Sequence, residues 1–256
     1  MNDFEKESSE RLIANSKNSG LCEAASSFMF QSTQPKYSYN FFWQGRPIIQ
    51  YPQDMIAVQE IVWKVRPDLI IETGIAHGGS LIMSASLLAL LDLDDAILSQ
   101  QKTIKPKESN RLVLGIDVDI RSHNRAAIEA HAMSSRIRMI EGSSTQEDVV
   151  SQVYAIAEKF SNVLVLLDSN HTHSHVLDEL RTYSPLVSRG SYCVVFDTII
   201  DQFPDDMYPD RPWGPNNSPK SAIDAFLSEN KDFVIDEEID QKLMISVAPK
   251  GYLFRP

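Results

Sequence analysis

LIIETGIAHGGS, residues 69–80, joins a short apolar run to a glycine-containing loop and then to a helical pattern. The run at residues 69–71 is typical of a strand that is buried on both faces. Gly74, Gly78 and Gly79 let the backbone turn sharply and approach a ligand closely. The spacing is not the GxGxxG of a dinucleotide-binding loop. The segment therefore predicts either a tight strand–helix turn or a site for a different ligand.

Beyond this loop, apolar runs alternate with helical patterns for the rest of the chain. Further strands are predicted at residues 112–116, 137–140, 163–167, 192–196 and 243–247. Helices are predicted at residues 53–65, 80–91, 124–133, 146–160, 174–183 and 218–229. This alternation is typical of an α/β fold with a doubly wound, mostly parallel sheet, in which the last strand can run antiparallel.

Residues 1–52 are expected to form an N-terminal extension, and residues 53–256 the ligand-binding domain. A loose helical pattern covers residues 4–30, whereas residues 34–52 are expected to be irregular. The irregular stretch contains Tyr37, Tyr39, Phe41, Phe42 and Trp43. So many clustered rings are not expected to remain in water, so they either anchor the extension to the domain or wall a ligand pocket.

The composition excludes several classes of protein. A formal net charge of −11 argues against a nucleic-acid-binding surface, because phosphate contacts need clustered Lys and Arg. Cys22 and Cys193 form neither a disulfide framework nor a metal ligand set, which favours a reducing compartment. No segment has the character of a membrane span or a signal peptide. We therefore expect a cytoplasmic protein, with the aromatic extension favouring a homo-oligomer.

Ligands of an open parallel sheet bind at the carboxyl ends of its strands, so the residues that follow each strand are candidates. After the first strand, Glu72 suits a ligand with an ammonium group, such as the methionine part of S-adenosylmethionine. Gly74, His77 and Ser80 belong to the same cofactor loop. Ser80 is also placed to cap the next helix, whose N-terminal amides favour an anionic group.

The next two strand ends suit a nucleoside. Asp117 can accept hydrogen bonds from both ribose hydroxyls, and Asp119, two residues on, is its competitor. Ser143 and Ser144 follow the third strand, where they either border the adenine or cap the following helix. A solvated acid is the simpler explanation for Asp117, and the sequence leaves both explanations open.

Two acids and several histidines follow the fourth and fifth strands. Asp168 and Asp197 stand at neighbouring strand ends, where they can share a hard divalent cation such as Mg²⁺ or Mn²⁺. His171 lies nearest to the strand end and is the candidate general base, with Asp168 beside it in the catalytic and cofactor site. His175 begins a helix and has a structural explanation. The histidine spacing fits no common structural zinc site.

These residues together resemble the cephalosporin hydroxylase family, whose members have the Rossmann-like fold of class I S-adenosylmethionine-dependent methyltransferases. The resemblance covers residues 39–255. It is carried by YNFFWQGRPIIQYPQDM, RPDLIIETGIAHGGS, VLGIDVDI, LLDSNHTHSHVLDEL, FDT, WGPNNSPKSAIDAFL and GYLFR. Despite the family name, many members act as O-methyltransferases on sugars or natural-product hydroxyls.

The resemblance implies the following cofactor-binding residues: Glu72, Gly74, Ser80 and Asp117. It implies a divalent metal, usually magnesium, at Asp168 and Asp197. The family often carries two adjacent acids, Glu-Asp, at the second of these strand ends, and here Phe196 occupies the first place. A more distant similarity to macrolide-sugar O-methyltransferases places a base at the histidine of Asp-x-x-His, which is His171 here.

We therefore predict an S-adenosylmethionine-dependent O-methyltransferase that acts on a hydroxyl of a sugar or natural product with the help of a divalent metal. The loop at residues 203–217 and the aromatic stretch are expected to close over the acceptor. Two alternatives stay open. The lack of an acid at Phe196 favours a non-catalytic cofactor-binding or accessory subunit. An iron-dependent hydroxylase would need a triad of His171, His173 and Asp168.

Overall fold

The predicted alternation of strands and helices is present in the structure. The computed structural model describes residues 2–103, 105 and 107–256. Its helices are α1 (Asp3–Ser16), α2 (Ser19–Thr33), α3 (Pro52–Val65), α4 (Gly79–Leu98), α5 (Ser122–Glu129), α6 (Glu147–Ala157), α7 (His173–Tyr183), α8 (Pro219–Glu229) and α9 (Glu237–Leu243). Its strands are β1 (Phe41–Trp43), β2 (Arg46–Ile48), β3 (Leu69–Thr73), β4 (Leu112–Asp117), β5 (Ile137–Glu141), β6 (Val163–Leu167), β7 (Ser191–Val195), β8 (Val234–Ile235) and β9 (Tyr252–Arg255).

Parallel strands form the centre of the main sheet. Among the described residues the strand order is β5-β4-β3-β6-β7-β9-β8, with β9 antiparallel to both of its neighbours. The chain winds from β3 outward to β5 and then crosses to β6 on the other side of β3. This reversal confirms the predicted doubly wound, mostly parallel sheet. It places the topological switch point, where ligands of such folds bind, between β3 and β6.

The sheet carries an apolar layer on each face, because consecutive side chains of a strand point to opposite faces. Ile70 packs with apolar residues of α3 and α4, whereas Leu69 and Ile71 pack with those of α6, α7 and α8. Both β3 and β6 are buried along their whole length, as expected for strands covered on both sides. The two strands that border the switch point are therefore fixed firmly in the core.

The strand predicted at residues 243–247 is wrong. Leu243 is the last residue of α9, Met244 follows with a φ of 56°, and Ile245 and Val247 pack in a loop against a separate apolar cluster. The last strand is β9, which is antiparallel as expected for the C-terminal strand. A short apolar run does not distinguish a strand from a buried helix end or loop.

The N-terminal region is more regular than the sequence predicts. Two helices, α1 and α2, take the place of one loose helical pattern. The stretch at residues 34–52 contains a 3₁₀ helix, Tyr37–Asn40, and the antiparallel hairpin of β1 and β2. Tyr39 and Phe42 are 53% and 65% exposed. These two rings therefore do not anchor the extension in the core.

The division into an extension of residues 1–52 and a domain of residues 53–256 stays a prediction. The hairpin of β1 and β2 contacts α4, and α1 contacts α9, so the region packs on the main domain in two places. No helix of the described residues has the length and apolarity needed to cross a membrane. The cytoplasmic location and the homo-oligomer stay predictions.

Candidate active site

The glycine loop, residues 74–79, follows β3 and is held by polar side chains. Asp117 Oδ2 accepts hydrogen bonds from two backbone N–H groups of the loop, at 2.7 and 3.2 Å. Asn124 Nδ2 donates to the carbonyl of Ala76 at 2.9 Å, and Arg46 Nε donates to that of His77 at 3.0 Å. Because buried backbone groups need such partners, the loop conformation is fixed within the chain itself.

Gly74 is required at the start of this loop for two reasons. Its φ of 90° lies in the region that favours glycine. A Cβ at this position would lie 2.1 Å from the carbonyl oxygen of Asp168. The loop after β3 therefore runs directly against the end of β6, which brings the two strand ends of the switch point into contact.

Ser80 does not cap the following helix, contrary to expectation. Helix α4 begins at Gly79 after Gly78, without a side-chain cap, and the Ser80 hydroxyl donates instead to Glu72 Oε1. Glu72 is 2% exposed, and its Oε2 has no hydrogen-bond partner among the described residues. Burial raises the pKa of Glu72 to about 7, because loss of water penalises the charged form.

Asp168, His171 and Asp197 converge at the ends of β6 and β7, as predicted for neighbouring parallel strands. One possible ligand atom from each residue lies within 4.8 Å of the other two, and His171 Nε2 is 3.3 Å from Asp197 Oδ2. Burial, followed by repulsion from Asp197, raises the pKa of Asp168 well above its usual range. Two carboxylates and an imidazole at these distances can hold a divalent cation.

Two buried residues behind this cluster were missed by the sequence analysis. Gln50 Nε2 donates to Asp168 Oδ2 at 3.1 Å, while Gln50 Oε1 has no partner among the described residues. Asp54 accepts from the hydroxyls of Ser246 at 2.6 Å and Tyr252 at 2.7 Å, and burial raises its pKa to about 6. Both residues belong to the RPIIQYPQDM motif that carries the family resemblance, which was the available signal.

The other histidines of the segment after β6 lie outside the cluster. His173 Nδ1 is 2.9 Å from Ser221 Oγ of α8. His175 Nε2 is 3.1 Å from Ser144 Oγ and 3.5 Å from a carboxylate oxygen of Glu179. The two-histidine triad of the hydroxylase alternative is therefore not formed in the described part of the chain. His175 joins the loops after β5 and β6, the structural role that the sequence allowed.

Two adjoining cavities lie over the strand ends. The first, of about 440 Å³, extends from the glycine loop and the acidic cluster to the N-terminal region and to the loop at residues 203–217, hereafter the covering loop. The second, of about 470 Å³, extends from Asp117 towards the loops after β5 and β6. The residues that line both are Gly74, Asp117, Ser169, His171, Arg211 and Trp213.

The predicted cofactor residues are distributed over both cavities. Those lining the first are Gly74, His77, Ser80, Asp117 and Asp168. Those lining the second are Gly74, Asp117, Ser143 and Ser144. Glu72 lies behind them, in a small space that it shares with Gln50 and Ser80. Asp119 is exposed and lines neither cavity, whereas Asp117 lines both.

The chain is similar in sequence to rhamnosyl O-methyltransferases and in structure to CmcI. The rhamnosyl O-methyltransferase of Mycobacterium tuberculosis strain H37Rv is 29% identical over 204 residues, which cover 79% of this chain and 73% of that protein. An apo structure of CmcI has a TM-score of 0.57 and 19% identity, covering 85% of this chain and 76% of its own. A structure of CmcI with magnesium and S-adenosylmethionine has a TM-score of 0.55 and 16% identity, covering 85% and 77%.

At these identities the structural similarity establishes the Rossmann-like methyltransferase fold alone. Family membership rests on the sequence. The family model described as rhamnosyl O-methyltransferase/CmcI matches residues 35–256, which is most of the chain. The chain therefore belongs to the rhamnosyl O-methyltransferase/CmcI family, which confirms both the predicted family and the predicted class of enzyme, an S-adenosylmethionine-dependent O-methyltransferase.

Proposed function

We propose that the chain transfers the methyl group of S-adenosylmethionine to a hydroxyl of a sugar or of a sugar-bearing small molecule. The observation that carries the proposal is the convergence of Asp168, His171 and Asp197 beside the glycine loop. Methyl transfer to an oxygen needs a methyl donor, an acceptor hydroxyl and a group that receives the proton, all at one place. Asp168, His171 and Asp197 line the first cavity together with Gly74 of the glycine loop.

The residues of the site fit S-adenosylmethionine, which supplies a methyl group on a positively charged sulfur. The unpaired, buried Oε2 of Glu72 suits a donor such as an ammonium group. Asp117 already accepts three backbone N–H groups, so of about four acceptor positions one is left for a ribose hydroxyl. Ser143 and Ser144 line the second cavity, where the adenine would lie.

The donor set also fits a divalent cation, with Asp168 and Asp197 as its ligands and magnesium or manganese as the metal. Such a cation, when bound, lowers the pKa of an acceptor hydroxyl by Lewis-acid action. Phe196 is 5% exposed and packs in the apolar layer of the sheet, so it adds no ligand. Burial raises the pKa of Asp168, and repulsion from Asp197 raises it further; a bound cation would relieve that repulsion.

We propose that the imidazole of His171 is the general base that accepts the proton of the acceptor hydroxyl. Asp197 lies 3.3 Å from His171 Nε2 and orients the ring. The ring of Trp213, in the covering loop, packs edge-on against His171 with 5.9 Å between centroids, which limits the access of water. Most of the acceleration comes from holding the two reactants in line.

The test is transfer of a labelled methyl group to a panel of glycosides, with and without chelator. Glu72→Ala and Asp117→Ala should each weaken S-adenosylmethionine binding by about 1–3 kcal/mol, because a charged hydrogen bond is lost. Calorimetry measures this loss. Unchanged affinity in both variants would refute the assigned pocket. Cofactor binding without transfer to any hydroxyl compound would favour the accessory-subunit alternative.

A separate variant tests the base. His171→Ala should lower turnover about 100-fold while cofactor and metal binding are retained, because a base acts on the chemical step. His173→Ala is the matched control, since His173 lies in the same segment but bonds to Ser221. If His171→Ala abolishes metal binding, the imidazole is a metal ligand and the proton leaves by another route.

A further inference from the structure

The lining of the first cavity carries charges of both signs. Asp117, Asp168 and Asp197 line it, and so do Lys36 and Arg211. Lys36 belongs to the turn after α2, and Arg211 belongs to the covering loop. The two cations thus come from separate segments that face one space.

Both cations are exposed, and each has an aromatic ring as a neighbour. Among the described residues Lys36 and Arg211 form no ion pair, and each lies over an aromatic ring instead. Lys36 Nζ is 5.5 Å from the ring centroid of Tyr39, and Arg211 Cζ is 5.8 Å from that of Trp213. Both rings line the same cavity. A cation–π contact leaves most N–H groups of the cation available to a further acceptor.

Tyr208 lines the same cavity, and its ring packs against Trp213 with 5.3 Å between centroids. The two cations therefore share one cavity with the rings of Tyr39, Tyr208 and Trp213. Aromatic rings suit the apolar face of a sugar, and unpaired cations suit a neighbouring anion.

The net charge of the chain bears on where an anionic ligand can bind. The net charge is −11, so an anion is repelled from most of the surface. Cations without an ion-pair partner offer charge-assisted hydrogen bonds to an anionic group. An acceptor whose anionic group bound Lys36 and Arg211 would have its sugar in the same cavity as the acidic cluster.

We propose that Lys36 and Arg211 form an anion subsite, so that the acceptor carries a phosphate or carboxylate group next to the sugar that is methylated. The inference rests on the proposed function, because it describes the acceptor of that reaction. Two sources share the chemistry: the diphosphate of a nucleotide-linked sugar, and the carboxylate of an acidic sugar.

Binding is tested first, with inorganic pyrophosphate and with glucuronate as probes, by calorimetry on the protein saturated with S-adenosylhomocysteine. We expect one or both probes to bind to the wild type. The Lys36→Gln/Arg211→Gln double variant should bind about 10–100-fold more weakly, since hydrogen bonds to a charged group are lost. The matched control is Lys159→Gln/Arg138→Gln, which removes the same charges at exposed positions outside both cavities. Equal loss in both double variants would overturn the subsite.

Turnover is tested next, with a nucleoside-diphosphate hexose, a hexuronate glycoside and a neutral methyl glycoside as acceptors. In the double variant the ratio of KM for an anionic acceptor to KM for the neutral acceptor should rise about 10–100-fold. The anionic acceptor that shows this rise identifies the bound group as the diphosphate or the carboxylate. An unchanged ratio, or a parallel loss of S-adenosylhomocysteine affinity that assigns Arg211 to the cofactor, would overturn the proposal. Pyrophosphate binding without transfer to any acceptor would support the subsite and refute the proposed function.

Discussion

The glycine loop and the acidic floor, which comprises Asp54, Glu72 and Asp168, lie side by side, but they differ in how their polar groups are paired. The backbone groups of the loop are hydrogen-bonded to side chains such as Asp117 and Asn124. In the floor, burial raises the pKa of each carboxyl group, and no cation of the described residues pairs with it. The loop is a preformed support, whereas the floor holds charge that a bound ligand would stabilise.

This contrast predicts effects of opposite sign. A change in the loop removes packing and hydrogen bonds that are already made, so it should destabilise the free protein. Neutralising Glu72 or Asp168 removes an unfavourable buried charge, so it should stabilise the free protein while it weakens ligand binding. Stability and activity should therefore fall together in one region and separate in the other.

The largest effect is expected for Gly74→Ala. The new Cβ would clash with the Asp168 carbonyl oxygen at 2.1 Å and would sit on a backbone with φ of 90°. We expect a loss of about 4 kcal/mol in the free energy of unfolding, because backbone cannot move aside as a side chain can. Urea denaturation measures it. Gly190→Ala is the control, since Gly190 has a φ of 79° but nothing within 4 Å of the added atom. If Gly190→Ala lost as much free energy of unfolding as Gly74→Ala, the positive φ, and not the clash with Asp168, would account for the destabilisation.

The next effect concerns Glu72 and the pH. Its pKa is raised from 4.5 to about 7 by burial, so the folded state holds a proton that the unfolded state releases. Between pH 4.5 and 7 the unfolded state binds fewer protons, and stability therefore falls as the pH rises. The loss is about 3 kcal/mol and persists above pH 7.

Glu72→Gln lacks this titration. The variant should match the wild type at pH 5 and exceed it by up to about 3 kcal/mol at pH 8. Asp54 titrates at lower pH in both proteins, so it does not contribute to the difference at pH 8. Urea unfolding at the two pH values is the measurement, with the exposed Glu158→Gln as control. A wild type that is equally stable at both pH values would place an unseen cationic partner beside Glu72.

Asp168→Asn separates stability from activity. We expect methyl transfer to fall about 100-fold, equivalent to about 2.7 kcal/mol, with loss of the response to magnesium or manganese. The melting temperature should not fall, since the repulsion from Asp197 is removed. Asp224→Asn, on the exposed surface of α8, is the control. Wild-type turnover of Asp168→Asn in excess chelator would remove the metal from the mechanism.

The sequence predicts the fold correctly where a residue pattern is compatible with only one secondary structure. Continuous apolar runs such as VLVLL, at residues 163–167, form buried parallel strands, and strand adjacency then brings Asp168 to Asp197. The run LMISV at residues 243–247 is also largely apolar, but beyond Leu243 it packs on the core as a loop. Its burial depends on tertiary packing against the rings of Tyr51 and Phe203, which no local period encodes.

The residues of the site also divide into those that a local pattern predicts and those that depend on tertiary packing. Glu72, Asp117 and Asp168 lie within two residues of the carboxyl end of a strand and could be found by counting from each strand end. Asp54 is a single acid in a helical pattern, and its burial arises because the C-terminal loop and β9 close over α3. Ser80 was placed correctly beside the glycine loop, but its role as a cap was wrong because α4 begins one residue earlier, at Gly79.

The smallest effect is expected in the covering loop, where the comparison concerns mobility. In the glycine loop the amides of Gly74 and Gly78 donate to backbone carbonyls at 2.8 and 2.7 Å. The covering loop has local turn bonds, such as Met207 N to the Pro204 carbonyl at 3.0 Å, and ring contacts.

The free energy needed to open local bonds of this kind is about 1 kcal/mol or less, so the amides of the covering loop should exchange rapidly in the free protein. With S-adenosylhomocysteine and an acceptor bound, protection of residues 203–217 should rise about tenfold, while that of the glycine loop changes less. Hydrogen exchange followed by mass spectrometry resolves the two segments, with the buried strand β6 as internal reference. Equal and strong protection of the covering loop in both states would mean that it is a fixed wall, and that the acceptor enters without its opening.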